Sequence, residues 1–150
     1  MFSRTSAAFA VLLFASLSPL TVAATHEPEM KDREALAAKF VAQKIQIWQE
    51  RMNLKDWNIQ FDLLRSSQLE PKTLGNIHWD TDVKTARIAV LSPMDYTLPY
   101  KEMLDDMEFT VVHEMVHLQL ASLPRSDASR RVEEHAVNEI AKALLKLARH

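Results

Sequence analysis

The chain has 150 residues, of which 47% are hydrophobic and 25% charged, and its formal net charge is −2 at pH 7. These values are ordinary for one folded domain and exclude collagen-like or disordered chains. The near-neutral charge indicates no nucleic-acid partner, and a single glycine excludes a glycine-rich phosphate loop. The lack of cysteine excludes disulfides, thiolate metal ligands and a cysteine nucleophile.

The first 24 residues have the pattern of a secretory signal peptide. Their only charge is Arg4, an apolar run covers Ala7–Leu20, and small residues precede the expected cleavage point after Ala24. A membrane anchor is the alternative, but the run is shorter than the roughly 20 residues that a span needs. We therefore expect residues 25–150 to be one exported domain, secreted or periplasmic, without membrane contact after signal removal.

A helix is predicted at the start of that domain. Its apolar residues recur at helical spacing: Val41, Ile45, Trp48 and Met52. Pro28 can open this helix in its first turn, and Asn53 is a suitable residue for its C-terminal cap.

Three segments with period-two alternation predict strands at Trp57–Leu64, Gly75–Trp79 and Ala86–Val90. Residues 65–73 are polar and predict a loop, and Asp80–Lys84 predicts a hairpin turn.

Two helices are predicted to complete the domain. The first runs from about Pro99 to about Leu123, and the second starts at Ser126 or Asp127 and continues to the C terminus. The predicted fold is therefore α+β, with an N-terminal helix, a small three-stranded, mostly antiparallel sheet and two C-terminal helices.

The sequence His113-Glu114-Met115-Val116-His117 carries the main chemical signal. Histidines at i and i+4 lie on one helix face and can bind one metal ion together, with Glu114 beside them but not a ligand. The residues around this pattern are almost all apolar, so we expect a buried helix whose polar side chains need a partner. A chance match in a purely structural protein is the alternative.

A third ligand is expected from the last helix, because catalytic zinc commonly has three protein ligands and one open position. The candidates in that helix are Glu133, Glu134, His135 and Glu139. The alternative for all four residues is that they lie on a charged helix face exposed to solvent.

This combination resembles the zincin metallopeptidases of the gluzincin (thermolysin-like) kind, over about half of the predicted mature chain. The resemblance rests on Val112–Leu118 and on a glutamate helix whose matching residues are Glu134, Asn138, Ile140, Ala141 and Leu144. It implies Zn²⁺ held by His113, His117 and Glu134, with Glu114 as the general base of peptide hydrolysis. It also implies that Asn138 is hydrogen-bonded to His113 without binding the metal itself.

Periodicity favours a different ligand, because Glu133 lies in line with the apolar residues of the last helix. A carboxylate there would need a partner such as a metal. Glu134 lies toward the edge of that stripe and has asparagine four residues later. We favour Glu134 and keep Glu133 as the alternative.

The resemblance further implies an edge strand that binds an extended peptide. The segment Thr85–Leu91 is expected to fill this role, with contacts from Arg87, Ile88, Ala89 and Val90. The oxyanion donors of the longer relatives have no counterpart here. Tyr96, Tyr100 and His78 are the available substitutes, and a structural role is the alternative for each.

The predicted function is thus a monomeric zinc peptidase that acts on a peptide or protein substrate. A zinc-binding module that recognises a peptide without cutting it is the alternative.

Overall fold

The computed structural model describes residues 29–124 and 126–149, which form an α+β fold. Its helices are α1 (Met30–Arg51), α2 (Tyr100–Gln119) and α3 (Asp127–Ala148). Its strands are β1 (Asn58–Leu64), β2 (Gly75–Asp80) and β3 (Thr85–Leu91), with short 3₁₀ turns at Ser66–Gln68 and Pro93–Asp95. The predicted signal peptide and Pro28 lie outside the described residues. The predicted α+β class and the predicted order of elements are confirmed.

Helix α1 buries the predicted apolar stripe. Val41, Ile45 and Trp48 are at most 5% exposed, and Asn53 has a φ of 53°, a left-handed conformation that follows helix ends. The Trp48 indole nitrogen donates to Glu108 Oε1 of α2 at 2.9 Å, and Lys44 Nζ lies 2.9 Å from the same oxygen. This polar link joins α1 to α2 within the core.

The sheet has the strand order β1-β3-β2 and is mixed, so the predicted mostly antiparallel sheet is corrected. Strand β3 pairs parallel with β1 and antiparallel with β2. The connection 65–74 crosses the end of the sheet, which leaves the middle position to β3. The hairpin turn follows the prediction, because Asp80 Oδ1 accepts from the backbone N–H groups of Asp82 and Val83.

The predicted edge strand Thr85–Leu91 is wrong, because β3 is the central strand of the sheet. The backbone of Arg87, Ile88, Ala89 and Val90 lies between β1 and β2 and pairs with both. It therefore cannot accept a further extended peptide. Strand β2 lies at an edge of the sheet and contacts α2.

Helix α2 is central to the fold and contacts α1, α3, β2 and β3. It ends at Gln119, because Ala121–Leu123 form turns ahead of Pro124. Most of its side chains are buried, as its apolar composition predicted. Among the described residues no helix is both long and apolar enough to cross a membrane.

Candidate metal centre

The two histidines of α2 point to the same place. His113 and His117 lie one helical turn apart, their ring centroids are 4.8 Å apart, and their Nε2 atoms are 3.1 Å apart. His117 is 7% exposed and His113 is half-buried. The predicted pair therefore presents two ring nitrogens to one small volume.

Helix α3 holds the other nitrogen of each ring. Glu133 Oε1 accepts a hydrogen bond from His117 Nδ1 at 2.9 Å, and Asn138 Oδ1 accepts from His113 Nδ1 at 3.2 Å. A carboxylate and an amide oxygen can only accept, so in the neutral form of each ring this pairing assigns the proton to Nδ1. Both Nε2 atoms are then left with lone pairs that face each other.

Glu134 is a third acceptor beside the Nε2 atoms of His113 and His117. Its carboxylate oxygens lie 3.2 Å from His117 Nε2 and 3.4 Å from His113 Nε2, and its side chain is 54% exposed. Glu134 thus contacts both Nε2 atoms, whereas Glu133 contacts Nδ1 of His117.

Lone pairs and a carboxylate at these distances repel one another unless a cation or a proton lies between them. Ligands about 2.0–2.2 Å from a tetrahedral zinc ion lie about 3.3–3.6 Å from each other. The observed separations of 3.1, 3.2 and 3.4 Å fall close to that range. These residues therefore fit a divalent metal, and His113, Glu114 and His117 also place their ligand atoms within 4.8 Å of one another.

Burial lowers the pKa of His113, and the neighbouring His117 lowers it further, so the neutral ring is favoured. A neutral ring is the form that binds a metal. The same desolvation that would oppose a charged histidine therefore prepares His113 as a ligand.

Glu114 is only 6% exposed. Its carboxylate makes no hydrogen bond to any residue that the structure describes. Burial, with a smaller contribution from the charge of Glu134, raises the pKa of Glu114 to about 8. A carboxyl group with these properties is suited to exchange protons near neutral pH.

A cleft of about 600 Å³ opens in front of this group. One wall comes from α2 and α3 and the other from β2 and the segment before it, Glu70–Leu74. Phe109 lines the cleft and its ring centroid lies 6.0 Å from that of His113.

The structure does not bring the predicted oxyanion donors into the cleft. Tyr96 donates to Asp106 Oδ2 at 2.9 Å, Tyr100 packs beneath the guanidinium of Arg33, and His78 pairs across the sheet with Arg87. Burial raises the pKa of Tyr96, with Asp106 as the next cause. The structural alternative thus describes these three residues better.

Two of the predicted ligand candidates also lie elsewhere. His135 and Glu139 are exposed on α3, and Glu139 accepts from Lys142 Nζ at 2.8 Å. Neither lines the cleft.

The β2 wall of the cleft is the feature that the sequence interpretation missed. Gly75, Asn76 and Ile77 line it, opposite the histidines. Gly75 was a usable signal, because a lone glycine within an alternating strand often marks a close approach of another element.

Comparisons of the chain with models of protein families, with curated proteins and with solved structures found no match.

Proposed function

We propose that the mature chain is an exported zinc metallopeptidase of the gluzincin kind. The observation that carries the proposal is the convergence of His113 Nε2, His117 Nε2 and the Glu134 carboxylate. Both rings are fixed by hydrogen bonds at Nδ1, as metal-binding histidines usually are.

In this proposal His113, His117 and Glu134 hold Zn²⁺. Zinc in such a site supplies a Lewis acid for the carbonyl oxygen and an activated water nucleophile. Glu133 and Asn138 keep the imidazole rings in the required tautomer and orientation.

Glu114 is the general base. Its carboxylate has no competing hydrogen bond within the described residues, and it lies on the cleft side of α2. It accepts the proton of the attacking water and then delivers it to the leaving amine, as general acid–base catalysis requires.

The edge of β2 is the proposed binding site for the peptide, in place of β3. Leu91 N–H donates to Leu74 O at 2.8 Å, which sets the phase of the β2–β3 ladder. In an antiparallel pair hydrogen-bonded and non-hydrogen-bonded positions alternate, so Gly75 and Ile77 turn their backbone groups away from β3. An extended peptide can pair there, beside the histidines.

The test is Glu114→Gln, which keeps the shape of the side chain but cannot accept the proton. We expect the variant to retain one zinc per chain and to lose hydrolysis by roughly 10²–10⁴-fold. New amino termini in a library of unstructured peptides, counted by mass spectrometry, provide the assay. Glu139→Gln on the exposed face of α3 is the matched control and should cut like wild type. A zinc-loaded Glu114→Gln variant with wild-type activity contradicts the proposal.

Peptide recognition without cleavage is the second candidate function. It is favoured by the positions of Tyr96, Tyr100 and His78, none of which lines the cleft. A wild-type protein that binds zinc and retains peptides, yet produces no new termini, would establish this alternative.

Export is proposed from the leader pattern of the first residues. The expected result is that protein recovered from the periplasm or medium has the intact mass of residues 25–150. Recovery of the chain with Met1 attached would refute cleavage.

A further inference from the structure

Gly75 is the single glycine of the chain and the first residue of β2. It has no positive φ, so its backbone conformation does not require glycine. Glycine is required here because a Cβ atom would have no space. A Cβ atom at this position would lie 2.5 Å from Thr110 Cγ2 and 2.6 Å from the carbonyl oxygen of Ala89. Both distances are far below ordinary van der Waals contact.

The same Cβ atom would lie 3.6 Å from Glu114 Oε1. Thr110 and Glu114 are one helical turn apart on α2, so Gly75 faces the side of the helix that carries the proposed general base. The absent side chain therefore lets the β2 backbone approach α2 closely at the level of Glu114.

The Glu114 side chain is 6% exposed and lines the cleft, so the elements packed around it limit where its carboxylate can lie. Thr110 is fixed from its other side, since its hydroxyl donates to the backbone oxygen of Asp106 at 3.1 Å. A side chain at position 75 would have to move the strand, the threonine or the glutamate.

We propose that Gly75 is a positioning residue that sets the spacing between the peptide-binding edge of β2 and Glu114. This inference rests on the proposed peptidase function. Gly75 contributes no side chain, and its effect is to hold the substrate backbone and the general base at working distance. A misplacement of about 1 Å can cost about 100-fold in rate.

The experiment compares Gly75→Ala with wild type for zinc content, kcat and KM on a peptide that wild type cuts. We expect full zinc content and a loss of kcat of roughly 10–100-fold, on the scale of such misplacements, with a smaller change in KM. Thr110→Ser removes the methyl group nearest to the new Cβ and keeps the hydroxyl. The double variant Gly75→Ala/Thr110→Ser should therefore recover part of the lost kcat.

Val90→Ala is the matched control, because Val90 is the cross-strand partner of Gly75 and belongs to the core. It should lower the melting temperature and leave kcat unchanged at temperatures where the protein is folded. If Gly75→Ala does not fold, Thr110→Ile fills the same gap from the helix side and should lower kcat with zinc retained.

Wild-type kcat in a folded Gly75→Ala variant, or in Thr110→Ile where that variant is used, overturns the inference alone. A wild-type protein that cuts no peptide overturns the proposed function together with this inference.

Discussion

Glu133 and Glu134 are neighbours in sequence but occupy different positions at the histidines. The Glu133 side chain is 16% exposed and binds His117 at Nδ1, not at the Nε2 atom that faces His113. Glu134 is 54% exposed and reaches both Nε2 atoms from the cleft. The two carboxylates are therefore suited to different roles, one as a ligand and one as the group that orients a ligand.

This difference predicts unequal losses of zinc affinity. Glu134→Ala removes a proposed ligand and should reduce affinity more than Glu133→Ala, whose loss should be about 10–100-fold, as for other groups that orient ligands. Competition with a chromophoric chelator measures both. If Glu133→Ala loses the metal while Glu134→Ala binds with wild-type affinity, the proposed ligand set is wrong.

The sequence could predict the histidine pair because helical spacing alone places i and i+4 on one face. The sequence could not decide whether Glu133 or Glu134 is the metal ligand, since periodicity and the family pattern describe different properties of the helix. Periodicity identified Glu133 as a buried carboxylate that needs a partner, and that partner is the imidazole of His117. The family pattern identified Glu134, whose cleft position depends on how α3 packs on α2.

The segment Arg65–Leu74 is anchored at its start by an ion pair. Asp95 accepts from the Nε and Nη2 groups of Arg65 at 3.0 and 2.7 Å and from the backbone N–H of Ser66 at 2.6 Å. The Arg65 guanidinium, followed by the Ser66 N–H, holds the pKa of Asp95 well below its usual range. This contact ties the segment that lines the cleft to the 3₁₀ turn after β3.

A pH dependence of stability follows from this contact. The depressed folded-state pKa of Asp95 stabilises the fold above the unfolded pKa of about 3.9, and this contribution is lost as the pH falls further. Asp95→Asn should therefore lower the urea midpoint at pH 7, and its difference from wild type should shrink toward pH 3.

The urea midpoints are measured on chelated protein, so that release of metal at low pH does not contribute to the difference between Asp95→Asn and wild type. Arg65→Gln removes the main partner of the carboxylate, so Asp95→Asn should lower the urea midpoint less in an Arg65→Gln background than in wild type. A difference between Asp95→Asn and wild type that stays constant from pH 7 to pH 3 would exclude the ion pair as its cause.

The strands were predictable almost to the residue because alternation is local, but their order was not. Alternation gives neither the direction of a strand nor its neighbours. One signal was available, since Ile88–Leu91 is apolar on both faces, which is typical of a central strand. Leu69 covers Ala89 and Leu91 on the face away from the helices.

At the scale of the whole molecule, the fold lacks disulfides and its proposed metal joins α2 to α3. Zinc at a thousandfold excess over Kd would stabilise the folded state by about 4 kcal/mol. Chelation should therefore lower the Tm by about 10 °C or more in a domain of this size. Thermal melts with chelator, and again after zinc is restored, test this.

His113→Ala is the control for that experiment. Its melting temperature should already be low and should not respond to chelator, because the site has lost a proposed ligand. Equal melting temperatures of zinc-loaded and chelated wild type would contradict a metal that stabilises the fold.

The parallel pairing of β1 with β3 has a consequence for the route by which the chain folds. The β2–β3 hairpin closes across a short turn, at little cost in chain entropy. Pairing of β1 with β3 closes a longer loop, since β1 itself, the connection, β2 and the hairpin turn separate Asn58 from Thr85 in sequence. We therefore expect β1 to dock late, and until it does, one side of β3 offers an unpaired edge to any other chain nearby.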